Sequence, residues 1–164
     1  MPFTPFHVGP AIPVKAAMDK KFSLLVYAWA QVVMDLQPLV VILTGRGRTH
    51  GITHTFVGAA VLGAVAVVSG KYLSELILNL LSFGKRPKVV IPWRLAALSG
   101  FVGTFSHVLL DSLIYPDMAP FWPFMQANPL QFGVTSFQMT IFCVVSGVAG
   151  LLAWGVVTLV RRGR

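Results

Sequence analysis

Acidic side chains are nearly missing from this chain of 164 residues: five Asp and Glu stand against 13 Lys and Arg, and charged residues of all kinds make up only 11%. With 55% hydrophobic residues and a mean hydropathy of +0.76, so thin a charged inventory excludes an ordinary water-facing surface and marks a membrane protein. Cysteine is scarce as well. The single Cys143 excludes an intramolecular disulfide and a Cys-based metal cluster, and its place in an apolar run gives it a packing role. A basic stripe is also lacking: the net charge of +8 comes from residues that fall between apolar runs, as in the loops of membrane proteins, which argues against a nucleic-acid partner. A cleavable leader is not expected, because the apolar stretch between Lys21 and the "AWA" of Ala28 to Ala30 is short and the hydrophobicity continues beyond it. No lipidation box or internal repeat is evident.

Apolar length is what the chain has in abundance. Segments 22–43, 52–69, 91–115 and 137–160 are each long enough to cross a hydrocarbon core of about 30 Å at about 1.5 Å per helical residue. Shorter apolar stretches at 6–18 and 72–83, both with charged flanks, read as interfacial or re-entrant helices. The expected fold is an all-α integral membrane protein: one membrane-embedded helical domain over 1–164, a bundle of four transmembrane helices plus one or two short helices.

The basic residues alternate loop by loop. Lys15, Lys20 and Lys21 precede the first span, and only Arg46 and Arg48 separate it from the second. Lys71, Lys85, Arg86, Lys88 and Arg94 belong to the next loop and its edge; 116–136 has no basic residue; Arg161, Arg162 and Arg164 close the chain. By the positive-inside rule the tail and the 70–90 loop are cytoplasmic, and 44–51 and 116–136 face outward, as expected of a multi-pass membrane protein.

Ionisable residues inside such spans need a partner, because removing a charge from water costs several kcal/mol. Asp35 and His107 each lie eight residues before the outer end of their expected spans, so both sit roughly 12 Å below the outer mouth. Asp111 stacks one turn above His107, and His50 and His54 share that i, i+4 spacing where the second span begins. Three spans thus bring His and Asp to the outer third of the membrane, the donor set of a divalent metal, which would offset the desolvation of the carboxylates. Blander roles exist for each residue. A single His in a span serves as an interhelical hydrogen-bonding contact, Asp35 could pair with Arg46 or with backbone freed near Pro38, and His50 could be a solvated loop residue.

At these residues the chain resembles the membrane-bound metal-dependent hydrolases of the YdjM-like inner-membrane family. The likeness runs from "MPFTPFHVGPA" through "VVMDLQP" and "GITHT" to "SHVLLDSLIYPDMAPFWPF", and "SH-x-x-x-D" followed by Pro and "WPF" is its most specific part. It implies an all-helical membrane hydrolase with metal bound by His7, Asp35, His54, His107 and Asp111. One departure stands out. Where many members resemble H-R-G-x-T-H-S, this chain reads "RTHGITHT", so Thr49 aligns with the first family His and His50 is displaced by one. For His7 to join the others, the segment 6–18 has to run inward from the site toward Lys15, Lys20 and Lys21; otherwise it is an interfacial helix with His7 exposed.

The resulting expectation is a metal-dependent hydrolase acting on a lipidic or small ester, with a phosphoester favoured. Zinc is the first choice of divalent ion, with manganese or magnesium behind it. Asp117 is a candidate general base, and Arg46 and Arg48 are candidate contacts to an anionic substrate or a lipid headgroup. The competing expectation is a non-catalytic membrane protein in which the same residues hold a structural metal or form an ion or proton path.

Overall fold

A chain in hydrocarbon has to satisfy its own backbone N–H and C=O groups, and a helix does so within one segment. The computed structural model describes residues 4–82 and 88–162, and all regular elements among the described residues are helical. A 3₁₀ turn at Thr4–Val8 leads into α1 (Ala11–Met18), and a second turn, Asp19–Lys21, into α2 (Leu24–Met34) and α3 (Leu36–Thr44). A third turn, Ile52–His54, precedes α4 (Phe56–Leu81), which is followed by α5 (Trp93–Ser112) and α6 (Ser136–Arg162). Four stretches are long and apolar enough to cross a membrane: Leu24–Thr44, Phe56–Leu81, Trp93–Ser112 and Ser136–Val160.

The first span is not one straight helix. Pro38 has no N–H to give to the carbonyl one turn back, and its ring crowds that carbonyl, so the helix breaks at Asp35, whose backbone (φ −83°, ψ 0°) belongs to neither half. Other boundaries have equally local causes. Ser23 caps α2 by accepting from Val26 N, and Thr55 caps α4 by accepting from Gly58 N at 2.9 Å, contacts of about 1 kcal/mol each. Gly45 ends α3 in the left-handed region (φ +66°), and Pro92 precedes the first turn of α5.

Helix α5 packs against both α4 and α2, while α6 packs on α1 and the Thr4–Val8 turn. Lipid tails are as apolar as these side chains, so close backbone approach takes over the role that hydrophobic burial has in water. Gly100 faces Val67, and a Cβ at Gly103 would stand 2.7 Å from the Cβ of Ala30. Gly9 approaches the Cys143 carbonyl so closely that any side chain there would clash.

Two expectations about the short segments fare differently. Residues 6–18 do form a short element, the Thr4–Val8 turn and the eight-residue α1, about 12 Å long and too short to span alone. The stretch 72–83 does not form a separate helix: α4 continues from the second span to Leu81. The sequence signal for a loop was Lys71, yet this lysine is 6% exposed, ion-paired with Glu75 one turn on, with its Nζ 4.9 Å from the Tyr72 ring and 5.2 Å from the Trp93 ring. Its charge is absorbed by the bundle and interrupts nothing. Phe83, Lys85, Arg86 and Arg164 lie outside the described residues. The third span ends at Ser112, short of the expected residue 115.

Candidate metal centre

Each element above delivers one piece of the site. The break after α2 leaves Asp35 facing the bundle; the turn before α4 carries His54; α5 carries His107 and Asp111 one turn apart; the first 3₁₀ turn carries His7. Asp35 Oδ1 lies 3.4 Å from His107 Nε2 and 3.9 Å from His54 Nε2. Asp111 Oδ2 lies 3.3 Å from His107 Nε2 and 3.9 Å from His54 Nε2, while its Oδ1 is 3.6 Å from His7 Nε2. The rings of His7 and His54 meet that of His107 edge-on at 5.0 and 5.3 Å. His7, His54, His107 and Asp111 are almost fully buried, and only the Asp35 side chain, at 22%, remains partly open.

The histidines are held from behind. His107 Nδ1 meets Gln31 Oε1 at 2.9 Å, and His54 Nδ1 meets Thr53 Oγ1 at 3.0 Å. Tyr27 donates to the backbone oxygen of His7 at 3.1 Å and shares a 2.8 Å contact with Ser106, which ties the N-terminal turn to α2 and α5. On the inner side the Nε2 atoms of His7, His54 and His107 make no aligned hydrogen bond, although carboxylate oxygens lie within 4 Å. Buried nitrogens left without a partner beside carboxylates fit a divalent cation, which accepts both donor types at once. Two overlapping triads could hold one: His7, His107 and Asp111, and Asp35, His54 and His107.

Other residues singled out in the sequence stand apart. His50 is not stacked on His54 in one helix, because Gly51 is extended and Ile52–His54 is a 3₁₀ turn, so the i, i+4 geometry does not arise. His50 instead turns its Nδ1 to Asp117 Oδ2 at 2.9 Å and packs on the Tyr115 ring at 4.3 Å, with its own ring 5.6 Å from that of His54. Asp117 is 61% exposed and pairs with His50. Arg46 and Arg48 are exposed on the loop after α3, and the Arg48 carbonyl accepts from Gln37 at 3.2 Å. Sequence reasoning missed Gln31, Gln37 and Thr53. Their signal is polarity in apolar surroundings, Gln31 and Gln37 flanking Asp35 in "AQVVMDLQP" and Thr53 adjoining His54.

Four membrane-length helices around a buried His/Asp cluster define a multi-pass membrane protein with a candidate metal centre. The chain belongs to the YdjM inner membrane protein family, whose sequence model matches residues 13–162. That match takes in Asp35, His54, His107 and Asp111 and begins after His7. Neither a curated protein nor a solved structure matches the chain.

Proposed function

We propose that this protein is a metal-dependent hydrolase of the inner membrane, acting on a lipidic or small ester, with a phosphoester favoured. The observation that supports the reading is that three unsatisfied His Nε2 atoms and two carboxylates gather in two overlapping triads that share His107. Asp35, His54, His107 and Asp111 would hold the ion, zinc before manganese or magnesium given the imidazole content, with His7 as a further donor. A dication bound there supplies an acidified water and polarises an ester oxygen.

The remaining roles fall to the chain. Asp35, the partly open member, marks the side from which a substrate reaches the cluster. His50, its Nδ1 meeting Asp117 and its ring near that of His54, would accept or return a proton, so in this reading the general base is the His50–Asp117 pair rather than Asp117 alone. Arg46 and Arg48, on the same loop as His50, would receive an anionic group. A cluster this buried in a membrane-spanning bundle suits a small or lipidic ester rather than a folded protein or a duplex.

One observation favours a second reading: the two triads, sharing His107, offer five donors between them, which could fill a closed shell and leave a structural ion or an ion path. Purified protein separates the two. For the hydrolase, metal-loaded protein cleaves a member of a panel of phosphate, carboxylate and amide esters, EDTA abolishes turnover, and Zn²⁺ or Mn²⁺ restores it. Arg46→Ala and Arg48→Ala then weaken substrate use while sparing bound metal. Metal-loaded protein inert across the panel transfers the assignment to the structural or transport role.

A further inference from the structure

Two of the site histidines are backed by hydrogen-bond relays that both end on a backbone carbonyl, a group that can only accept. Gln31 Nε2 donates to Gly103 O at 2.9 Å, so it is Gln31 Oε1 that faces His107 Nδ1 at 2.9 Å. An oxygen in that position requires a proton on Nδ1. Turning the amide over would set its oxygen against the Gly103 carbonyl, two acceptors face to face at a fully buried residue. The second relay has one more link. Gln37 Nε2 donates to Arg48 O at 3.2 Å, Thr53 gives its only hydroxyl proton to Gln37 Oε1, and the Thr53 oxygen is left to accept from His54 Nδ1 at 3.0 Å.

The two relays have the same consequence. Each imidazole, when neutral, carries its proton on Nδ1 and turns a bare Nε2 lone pair toward Asp35 and Asp111, 3.3 to 3.9 Å away. A lone pair aimed at a carboxylate is repulsive, and a cation between the two makes it attractive. From this geometry we infer that Gln31 and Gln37 are positioning residues of the centre: from either side of Asp35 they lock the Nδ1–H tautomers of His107 and His54, so that the site is set for a divalent cation before one arrives. The inference rests on the metal reading above. Through Asp35, Gln31 and Gln37, the broken helix α2–α3 thus gives one carboxylate to the centre and aligns the imidazoles contributed by α5 and by the turn before α4.

The test uses the full chain, purified in detergent, with Zn²⁺ as the probe. Affinity is measured by competition with a chelator, and ¹⁵N-histidine spectra at mildly alkaline pH report which nitrogen carries the proton. The expected results are Nδ1–H on His107 and His54, a loss of Zn²⁺ affinity of about ten- to a hundred-fold in Gln31→Met and in Gln37→Met, and recovery to within about threefold in Gln37→Glu, which keeps an acceptor for Thr53 while water replaces the lost donor at the exposed Arg48 carbonyl. Gln37 is only part-buried, so its variants remain informative if Gln31→Met fails to fold. A protein with Nε2–H histidines or imidazolium rings, or Met variants that bind Zn²⁺ like the wild type while melting earlier, would overturn the inference. Wild-type protein that takes up no Zn²⁺ sinks the metal reading instead, and its metal-free spectra still decide whether the relays set the tautomers.

Discussion

Asp111 turns one carboxylate oxygen toward His7 and the other toward His54 and His107, and His107 belongs to both triads, so these two residues tie the cluster together. At the scale of single residues the expectation follows directly: Asp35→Ala, His54→Ala, His107→Ala and Asp111→Ala each lower bound metal about tenfold or more, because a missing donor opens the coordination shell. Cys143→Ser leaves the metal content unchanged, and His50→Ala has the smallest effect among the histidines. Elemental analysis of the purified variants decides it, and four variants with full metal content would remove the cluster. These four positions were legible from depth and spacing. The pairing of His50 with Asp117 was not, because it depends on how a loop closes across residues 50 and 117, which no local period encodes.

At the scale of elements, the contact between α2 and α5 is the one that sets the site's dimensions. Gly103 lets the backbone of α5 approach Ala30, and the Gly103 carbonyl also orients Gln31. A methyl group there meets the Ala30 Cβ at 2.7 Å and Tyr27 O at 3.1 Å, atoms that cannot swing aside as the end of a long side chain can. Gly103→Ala is expected to push α2 outward and destabilise the protein by about 1–3 kcal/mol, as overpacking does. The thermal midpoint in detergent should fall, and bound metal should fall with it, since α2 carries Gln31 and leads into Asp35. An unchanged midpoint and metal content would show that the two helices are not held at closest approach.

Across the whole molecule the two ends differ in charge. The turn at Asp19–Lys21, the segment before α5 and the end of α6 carry most of the basic residues, whereas the loop between α5 and α6 has none and closes over the site, its Pro120 carbonyl accepting from Phe56 N at 2.8 Å. If the basic end is cytoplasmic, as the positive-inside rule expects, the centre lies toward the outer face. A reporter fused after Arg164 should then be active only in the cytoplasm, and Ala127→Cys should react with an impermeant thiol reagent applied from outside. The opposite labelling would invert the orientation.

What the sequence determined by itself is everything that depends on local composition: the membrane class, the four apolar spans, the break near Pro38, and the stacking of His107 with Asp111, all consequences of hydropathy and helical period acting within a few residues. The continuation of α4 through Lys71 escaped it, because that charge finds Glu75 and two aromatic rings only once α5 is docked. The tertiary structure alone decided which donors meet, that His7 joins them from a turn too short to span, and that the glutamines beside Asp35 orient histidines on other elements. These contacts join residues far apart in the chain, and their geometry is set by how closely glycine-bearing helices approach, a quantity that no single segment contains.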